Sequence, residues 1–328
     1  MSTSPPLRSL LAEDIKLYLD FKRAIGRKFD TEESALRLLD RFLSDYPVFE
    51  RANLTPPLVE EFLASRSRTR PRSFNHLLGV LRCFFAWIVM QGRLTHSPVR
   101  TRPRPTGSHL IPFLFGPEQM QRVLEIAAQL PDNSWAIHRK DVYPLIFRMM
   151  YGLGLRVGEI SRLCYKDVDR ERQILVIRDT KFGKSRLVPF GSKMGEHIEV
   201  YLLKCVDWYG QWRPDDPLFS FRQRRPLRPE TISQVFHHIL SKVELTVPPG
   251  TAIPCLHCLR HSFAVQTLLR WYRSGIDPGQ RLFHLSIFMG HSDPASTSWY
   301  LTITDDLFAE ASRKFERLSS SITQEVSL

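Results

Sequence analysis

The spacing of hydrophobic and polar positions predicts a helical N-terminal part. Apolar residues recur every three or four positions in LLAEDIKLYLDFKRAIG, TEESALRLLDRFLSDY and FNHLLGVLRCFFAWIVMQG, which is the period of a helix with one buried face. Thr55 followed by Pro56 is typical of a helix start and leads into PLVEEFLAS. We therefore expect about four helices before residue 95 and no strand among them.

The pattern after residue 112 is mainly helical but includes two β-rich runs. QILVIRDT and SRLVPF are separated by KFGK, which is typical of a hairpin with a glycine-containing turn. Helical spacing is found on both sides of it, in PEQMQRVLEIAAQL, DVYPLIFRMMYGLG, LRVGEISRLCYKDVD, GEHIEVYLLKCVDWY, PETISQVFHHILSKV, LRHSFAVQTLLRWY, LFHLSIFMGH and TDDLFAEASRKFERL. The predicted fold class is therefore mainly α, with one small antiparallel β-sheet in the second part.

Composition predicts a linker between the two parts. Residues 96–112, HSPVRTRPRPTGSHLIP, contain four prolines, a glycine and three arginines, a composition typical of connecting segments. At 328 residues the chain is long enough for two domains, because single cores rarely grow beyond roughly 250–300 residues. We expect a helical domain over 1–95, a basic linker over 96–112 and a mostly helical domain over 113–328.

The charge of the chain indicates a polyanionic partner. Forty-six Lys and Arg against 34 Asp and Glu give a formal net charge of +12, which favours nucleic acid ahead of an anionic membrane. The stretch 66–104 has nine arginines and no acidic residue. Either it is a solvated face with a basic hinge, or it anchors phosphates. The second interpretation is preferred for its two clusters: Arg66, Arg68, Arg70, Arg72, Arg100, Arg102 and Arg104.

The expected location is the cytoplasm, at a bacterial nucleoid, with no membrane partner. No run of apolar residues approaches the roughly 18 that a membrane span needs. The N-terminus, MSTSPPLRSLLAEDIK, reaches acidic residues before an apolar signal region could form. The five cysteines are scattered, and reduced thiols fit them best.

The stretch PCLHC at 254–258 could belong to a metal site or to a phosphate site. With His197 and Glu199 it matches the His-x-Glu…Pro-Cys-x-x-Cys signature of zinc nucleobase deaminases. That pair, however, lies within an amphipathic helical pattern, and deaminase chemistry gives no role to the nearby basic residues. We therefore interpret both cysteines as small packing residues and expect no metal and no other cofactor.

The phosphate interpretation starts from His257 and Arg260. Three residues apart on a helix, they project from one face, and an imidazole beside a guanidinium suits a phosphate. The pair alone is weak evidence, but further candidates lie at a helix start, at the hairpin turn and near the end of the chain: Arg156, Lys181, His291 and Tyr300.

The same residues resemble the tyrosine recombinases, or phage integrases. GLGLRVGEISRL is similar to the family's first arginine box, TKFGKSRLVP to its lysine hairpin, HCLRHSFA to its His-x-x-Arg box, and MGHSDPASTSWY to its final histidine and tyrosine. The four motifs follow the family's order and span most of residues 112–315. The N-terminal helices and basic linker resemble the family's DNA-clamping domain by arrangement alone.

The resemblance implies a specific chemistry. Family members cut one DNA strand with a tyrosine hydroxyl, forming a 3′-phosphotyrosine and a free 5′-hydroxyl, and rejoin strands without metal or ATP. Here it implies Tyr300 as nucleophile, Arg156 and Arg260 on the scissile phosphate, and Lys181 as the acid for the leaving oxygen, with Lys184 as its competitor. His257 and His291 would complete the pocket.

Two neighbours of these residues are assigned separately. Glu159, one turn after Arg156, is expected to orient that guanidinium. His261, beside Arg260, is predicted to point elsewhere on the helix and to have a structural role.

The resemblance also implies partners. These are double-stranded DNA recombination sites and a homo-oligomer, with a dimer on each site and a tetramer on two; a partner recombinase or an accessory protein remains open. The helix over 304–318 is expected to dock into a neighbouring subunit or to pack on its own core. The expected process is integration, excision or transposition of a mobile element. The alternatives are a catalytically silent DNA-binding relative and, more remotely, a zinc nucleobase deaminase.

Overall fold

The chain divides into two compact units. A computed structural model of the protein describes residues 5–46, 50–107, 110–178, 185–222, 224–291, 293, 295–302 and 312. Unit 1 spans Met1–His109 and unit 2 spans Leu110–Leu328. The division falls between residues 109 and 110, within the proline-rich segment.

The described residues of unit 1 form four α-helices. They are α1 (Ala12–Ala24), α2 (Asp30–Ser44), α3 (Pro56–Ala64) and α4 (Pro71–Met90), with a short 3₁₀ turn at Arg51–Asn53. Prolines begin α3 and α4, where the fixed φ of proline suits the first helical turn. The apolar spacing of three and four residues therefore correctly predicts the helices of this unit.

α4 is the central core helix of unit 1. By length and composition alone it is the single helix, among the described residues, that could cross a membrane. Its apolar side chains Leu77, Leu81 and Phe84 are fully buried against α1, α2 and α3. This packing is that of the core helix of a folded domain, and it accounts for the high hydropathy of α4.

The first half of the proline-rich segment is attached to α4. Arg82 donates from Nη2 to the carbonyl of Thr101 at 2.7 Å, and the amide of Asn75 pairs with the backbone of Arg104 in both directions, at 2.8 and 2.7 Å. Arg104 also donates to the carbonyl of Arg68 at 2.7 Å. The two arginine clusters of unit 1 therefore lie side by side, although some thirty residues separate them in sequence.

Unit 2 is mostly helical and carries one small sheet. Its α-helices are α5 (Pro117–Ala127), α6 (Arg139–Leu153), α7 (Val157–Arg162), α8 (Ser192–Tyr209), α9 (Pro229–Leu240), α10 (His257–Arg273), α11 (Pro278–Met289) and α12 (Ala295–Ser298). Short 3₁₀ turns are found at Tyr165–Asp167 and Trp299–Thr302. Together with unit 1, this confirms the predicted mainly α fold class.

The sheet has three antiparallel strands rather than the two of a simple hairpin. β2 (Ile174–Ile177) pairs with β3 (Arg186–Pro189) as the sequence predicts. β1 (Val168–Asp169) pairs with the other edge of β2, in a stretch for which the sequence predicted a continued helix. The helical period in LCYKDVD is overridden because a two-residue strand takes its stability from its partner, not from its own pattern.

The packing of α10 and α11 positions the segments considered below. α10 packs along α6, and α11 contacts both α10 and β3. Val265, Leu268 and Met289 form a small core that also includes Tyr300. The start of α10, the end of α6 and the end of α11 are therefore brought together in one region of unit 2.

Candidate active site

Two chain breaks define the centre of this region. α6 ends at Gly154, in the left-handed conformation with φ +62°. A Cβ there would lie 2.4 Å from Cδ1 of Phe263 on α10, so glycine lets the two helices approach closely. α11 ends at Gly290, also left-handed with φ +67°. Both breaks present backbone carbonyls to the start of α10.

Arg260 is held by those carbonyls. The side chain is only 1% exposed. Its Nη1 donates to the carbonyl of Gly154, and its Nη2 donates to the carbonyl of Met289 at 2.6 Å. Burial, and then the charge of Arg156, lower the pKa of Arg260 to about 9, so the guanidinium is still charged at neutral pH.

Arg156 lies beside Arg260 and is fixed from two sides. It immediately precedes α7, and its Nη2 donates to the carbonyl of Gly290 at 2.9 Å. Its Nη1 donates to Oε1 of Glu159, also at 2.9 Å. The expected contact between Glu159 and this guanidinium is therefore present, and both arginines contact the segment that leads into His291.

Glu159 is shared by two arginines. The carboxylate is 3% exposed and accepts hydrogen bonds at 2.8 and 2.9 Å from Nη1 and Nη2 of Arg186 on β3. Arg186 also donates from Nε to the carbonyl of Phe288 at 2.7 Å. Burial by itself would raise the pKa of Glu159, but Arg186 and then Arg156 lower it to about 2. The carboxylate is therefore ionised and joins α7, β3 and the end of α11.

Sequence reasoning gave Arg186 no part in the site. Its position in SRLVPF predicts only a strand residue. The signal available in sequence was a basic residue in a short apolar strand, which needs a partner if buried. Its partner is 27 residues away, and only the pairing of β3 with the rest of unit 2 shows which carboxylate it is.

Tyr300 is buried at the edge of the same pocket. It lies in the 3₁₀ turn Trp299–Thr302 and is 2% exposed. Burial raises the pKa of its hydroxyl, while the charges of Arg260 and Arg156 oppose that rise. The phenol is therefore protonated at neutral pH and lies within the field of both guanidinium groups.

His261 contacts Tyr300 directly. Its Nδ1 lies 2.8 Å from the tyrosine hydroxyl, so the prediction that His261 points away from the site is wrong. The spacing offered a signal: His257 and His261 are four residues apart on one helix and share a face, and their ring centroids are 4.6 Å apart. Burial, then the charges of His257 and Arg260, lower the pKa of His261 to about 3.

His291 and His257 flank the arginines. The ring of His291 is stacked on that of Tyr300 with centroids 6.3 Å apart, and its Nδ1 lies 2.6 Å from Oγ1 of Thr297. Desolvation, then the charges of Arg260 and Arg156, lower the pKa of both histidines. His257 reaches the molecular surface, so solvent weakens this effect there. At neutral pH both rings are neutral and can accept a proton.

Several expected residues lie outside the described part of the chain. Lys181 and its competitor Lys184 fall in residues 179–184. The predicted docking helix, 304–318, also falls outside apart from Ser312. The structure thus brings together five of the six predicted catalytic residues and Glu159, and adds His261 and Arg186.

Comparison with known proteins identifies the family. The model of the phage integrase family matches residues 115–306. The integrase/recombinase y4rB of Sinorhizobium fredii is 32% identical over 326 residues, covering 94% of this chain and 98% of the relative. The chain belongs to the phage integrase family. It is a tyrosine-type site-specific DNA recombinase.

Solved structures support the fold of this recombinase. The Tn1549 transposon integrase in complex with a circular intermediate DNA has a TM-score of 0.65 at 18% identity, covering 93% of this chain and 99% of that one. A lambda integrase tetramer bound to a Holliday junction has a TM-score of 0.59 at 19% identity, covering 87% and 78% of the two chains. The integrase fold therefore extends over both units of the recombinase.

The metal interpretation gains no support from the recombinase structure. Among the described residues no group of three or more His, Cys, Asp or Glu side chains is arranged to hold a metal ion. His197 and Glu199 lie within α8, while Cys255 and Cys258 lie at the start of α10. The residues of the deaminase signature therefore do not form a common site.

Proposed function

We propose that this recombinase cleaves and rejoins DNA through a 3′-phosphotyrosine bond to Tyr300, in the movement of a mobile element. The observation that supports this most is the hydrogen bond of 2.8 Å between the hydroxyl of Tyr300 and His261, in a pocket whose charge comes from Arg156 and Arg260. A tyrosine hydroxyl beside a neutral imidazole and two fixed guanidinium groups has what nucleophilic attack on a phosphodiester requires.

The transfer conserves the number of phosphodiester bonds. The oxygen of Tyr300 attacks the scissile phosphorus, the bond from phosphorus to the 5′-oxygen breaks, and the tyrosine remains attached to the 3′-phosphate. Attack by a 5′-hydroxyl from another strand reverses the step and releases Tyr300. Each phosphodiester bond that is cleaved is replaced by one of similar free energy, so the reaction does not consume ATP or another nucleotide.

Two guanidinium groups stabilise the transition state in this proposal. Arg156 and Arg260 would bind the non-bridging oxygens, on which negative charge accumulates. Arg260 uses two of the five N–H groups of a guanidinium for the carbonyls of Gly154 and Met289. Those two bonds fix the plane of the group before substrate binds, which is the preorganisation that electrostatic catalysis needs.

The proton of Tyr300 has an acceptor nearby. The imidazole of His261 is neutral at pH 7 and its Nδ1 lies 2.8 Å from the protonated hydroxyl of Tyr300; in the tautomer with its proton on Nε2, it accepts the tyrosine proton at Nδ1. His257, which packs on His261, and His291, which stacks on Tyr300, are the other acceptors. Lys181 keeps its proposed role as the acid that protonates the leaving 5′-oxygen.

The resting arrangement is closed. Tyr300 is 2% exposed and Arg260 is 1% exposed, so a phosphodiester can contact them only after the side chains that cover them move. We infer that binding of the recombination site opens the pocket, which confines the reactive tyrosine to the DNA-bound state.

Unit 1 supplies the proposed phosphate contacts. Arg70, Arg100 and Arg102 are exposed, and residues 101–104 lie along α4, so the two arginine clusters form one basic surface. Lambda integrase is seen as a tetramer on a Holliday junction, which supports a tetramer on two sites for this chain. Bacterial cytoplasm, at the nucleoid, is the proposed location.

A suicide-substrate experiment tests the mechanism. Nicked DNA carrying the native recombination site is incubated with the full chain in EDTA, and covalent protein–DNA adducts are measured on a denaturing gel. Tyr300→Phe is expected to abolish the adduct. Tyr272→Phe, on the same helix as His261, is the matched control and is expected to retain it.

A silent DNA-binding relative is the competing function. It would bind the same DNA with the same footprint and form no adduct in the wild type. An adduct that persists in Tyr300→Phe would instead show a different nucleophile and would also contradict the proposal.

A further inference from the structure

We propose that Cys255 and Cys258 form a reversible disulfide, and that this disulfide switches DNA cleavage off. The pair lies at the start of α10, on either side of His257. The effect on cleavage rests on the proposed function of Tyr300. The disulfide itself does not, because it is a property of two sulfur atoms and their surroundings.

The two sulfur atoms are already in contact. Sγ of Cys255 and Sγ of Cys258 are 3.6 Å apart, and the backbone N–H of Cys255 donates to Sγ of Cys258 at 3.4 Å. A disulfide has a bond of about 2.05 Å, so the sulfurs must approach by only about 1.5 Å. Cys258 lies in the first turn of α10 while Cys255 precedes the helix. The backbone N–H of Cys258 donates to the carbonyl of Cys255 at 2.9 Å, so the approach of the two sulfurs displaces this turn.

The pair has the asymmetry of a Cys-x-x-Cys redox site. Cys255 is partly exposed, whereas Cys258 is buried, at 2%. The hydrogen bond with Cys258 lowers the pKa of Cys255 to about 6, and burial opposes this only in part. The same bond and burial raise the pKa of Cys258. One sulfur is therefore an accessible thiolate near neutral pH and the other a shielded thiol.

The three other cysteines lack this arrangement. Burial raises the pKa of Cys205 to about 11 and also raises that of Cys164, which disfavours their reactive thiolate forms. Cys83 is exposed and, among the described residues, has no second thiol placed like the pair 3.6 Å apart. Oxidation is thus directed to the start of α10.

The chemistry requires a hydroperoxide as oxidant. The thiolate of Cys255 attacks one peroxide oxygen, the O–O bond breaks, and Cys255 becomes a sulfenic acid while an alcohol or water leaves. The sulfur of Cys258 then attacks that of Cys255 and water leaves. In total two thiols lose two electrons and two protons, and the hydroperoxide is reduced to an alcohol and water. A small dithiol reverses the reaction.

The disulfide would act on the site through His257. Closing the ring over residues 255–258 changes the backbone on both sides of this histidine, three residues before Arg260. The ring of His257 packs on His261, with centroids 4.6 Å apart, and His261 contacts the hydroxyl of Tyr300 at 2.8 Å. We expect the oxidised protein to form the covalent DNA adduct at least tenfold more slowly.

The test uses a full chain in which only this pair can react. Cys83→Ser, Cys164→Ser and Cys205→Ala are combined, and the matched control adds Cys255→Ser. Both proteins are treated with hydrogen peroxide and then with dithiothreitol. Peptide mass spectrometry follows the loss of two hydrogen atoms from the peptide that contains 255–258, and adduct formation is measured on nicked DNA. Because Cys205 is buried, a second variant retains it as a control for misfolding caused by Cys205→Ala. In this variant the peptide that contains Cys205 is mapped separately.

The expected result is a disulfide in the parent, slower adduct formation on oxidation and full recovery with dithiothreitol. The Cys255→Ser control should show none of these changes. Absence of the disulfide at a peroxide concentration that oxidises Cys83 in the wild type overturns the modification site. A disulfide with an adduct rate within twofold of the reduced rate overturns the switch. If reduced protein forms no adduct, the proposed function fails, while the peptide map still decides the disulfide.

Discussion

The arginines of the two units are held in different ways. In unit 2, Arg260 is buried and bonded to two backbone carbonyls, and Arg186 is bonded to a carboxylate and a carbonyl. In unit 1, Arg70, Arg100 and Arg102 are exposed, on a surface without acidic residues in its sequence.

This difference separates two uses of one side chain. A buried guanidinium fixed at both ends can hold a phosphate oxygen at a defined position, and its charge is only weakly screened. An exposed guanidinium attracts the DNA backbone with an energy that salt screens within roughly 10 Å. We therefore expect geometry to matter in unit 2 and only charge to matter in unit 1.

The largest expected effect comes from changing geometry while keeping charge. Arg260→Lys should slow adduct formation by about 10²–10³-fold, because a single ammonium nitrogen cannot replace the planar fork whose Nη1 and Nη2 reach two separate carbonyls. Its control, Arg102→Lys, should change the rate less than about twofold, whereas Arg102→Gln should lower the salt slope of DNA affinity by about 1. Rates are measured with nicked DNA at saturation. Equal losses in the two lysine variants would remove the distinction between the units.

The next effect concerns the carboxylate that fixes the arginines of unit 2. Glu159→Gln leaves Arg156 and Arg186 without a counter-charge and should lower the free energy of unfolding at pH 7 by about 3 kcal/mol. Glu199→Gln, which loses an exposed contact with Arg170, is the matched control and should cost less than about 1 kcal/mol. Urea titration measures both variants.

The pKa of Glu159 gives the pH range of that contribution. Because its folded pKa is lowered from 4.5 to about 2, the stabilisation is fully present above the usual value and is lost as pH falls from about 4.5 towards 2. A Glu159→Gln protein whose stability matches the wild type at pH 7 would show that the carboxylate does not hold the site together.

The smallest expected effect arises from His261. The pKa of His261 is lowered from the ordinary 6.5 to about 3 by folding. As the pH falls below 6.5, the unfolded chain therefore binds a proton that the folded protein does not bind. The contribution of neutral His261 to the free energy of unfolding is therefore complete above pH 6.5, and about 2 kcal/mol of it is lost between pH 6.5 and pH 5. In His261→Gln, the free energy of unfolding should fall between pH 7 and pH 5 by about 2 kcal/mol less than in the wild type. In His238→Gln, whose side chain is exposed on α9, the fall should equal that of the wild type. Parallel curves for all three proteins would contradict the prediction.

Much of the fold could be predicted because its signals are local. The helices of unit 1 and most of those in unit 2 follow from apolar periodicity, and β2 and β3 from two β-rich runs around a glycine. β1 was missed, because Val168 and Asp169 become a strand only by pairing with Leu175 and Ile174. The isolated sequence LCYKDVD holds no information about that partner.

The candidate site divides in the same way. The groups proposed to act on DNA were found from short motifs, since Arg156 follows a glycine break and His257 and Arg260 share one helical turn. Of the contacts of these groups, the one between Glu159 and Arg156 was predicted, but those of Arg186 and His261 were not. Arg186 was overlooked, and His261 was assigned to the wrong side of the helix, although its ring lies 2.8 Å from the hydroxyl of Tyr300.

The sequence by itself determined the helical period, the basic character of residues 66–104 and the order of the motifs, since backbone geometry and charge are properties of neighbouring residues. The tertiary structure decided which carboxylate joins Arg156 to Arg186, which histidine faces Tyr300 and how deeply Arg260 is buried. These contacts join residues 27, 29, 39 and 106 positions apart. They depend on how α7, β3, α10 and α11 pack together, because only close packing brings such distant side chains within hydrogen-bonding distance.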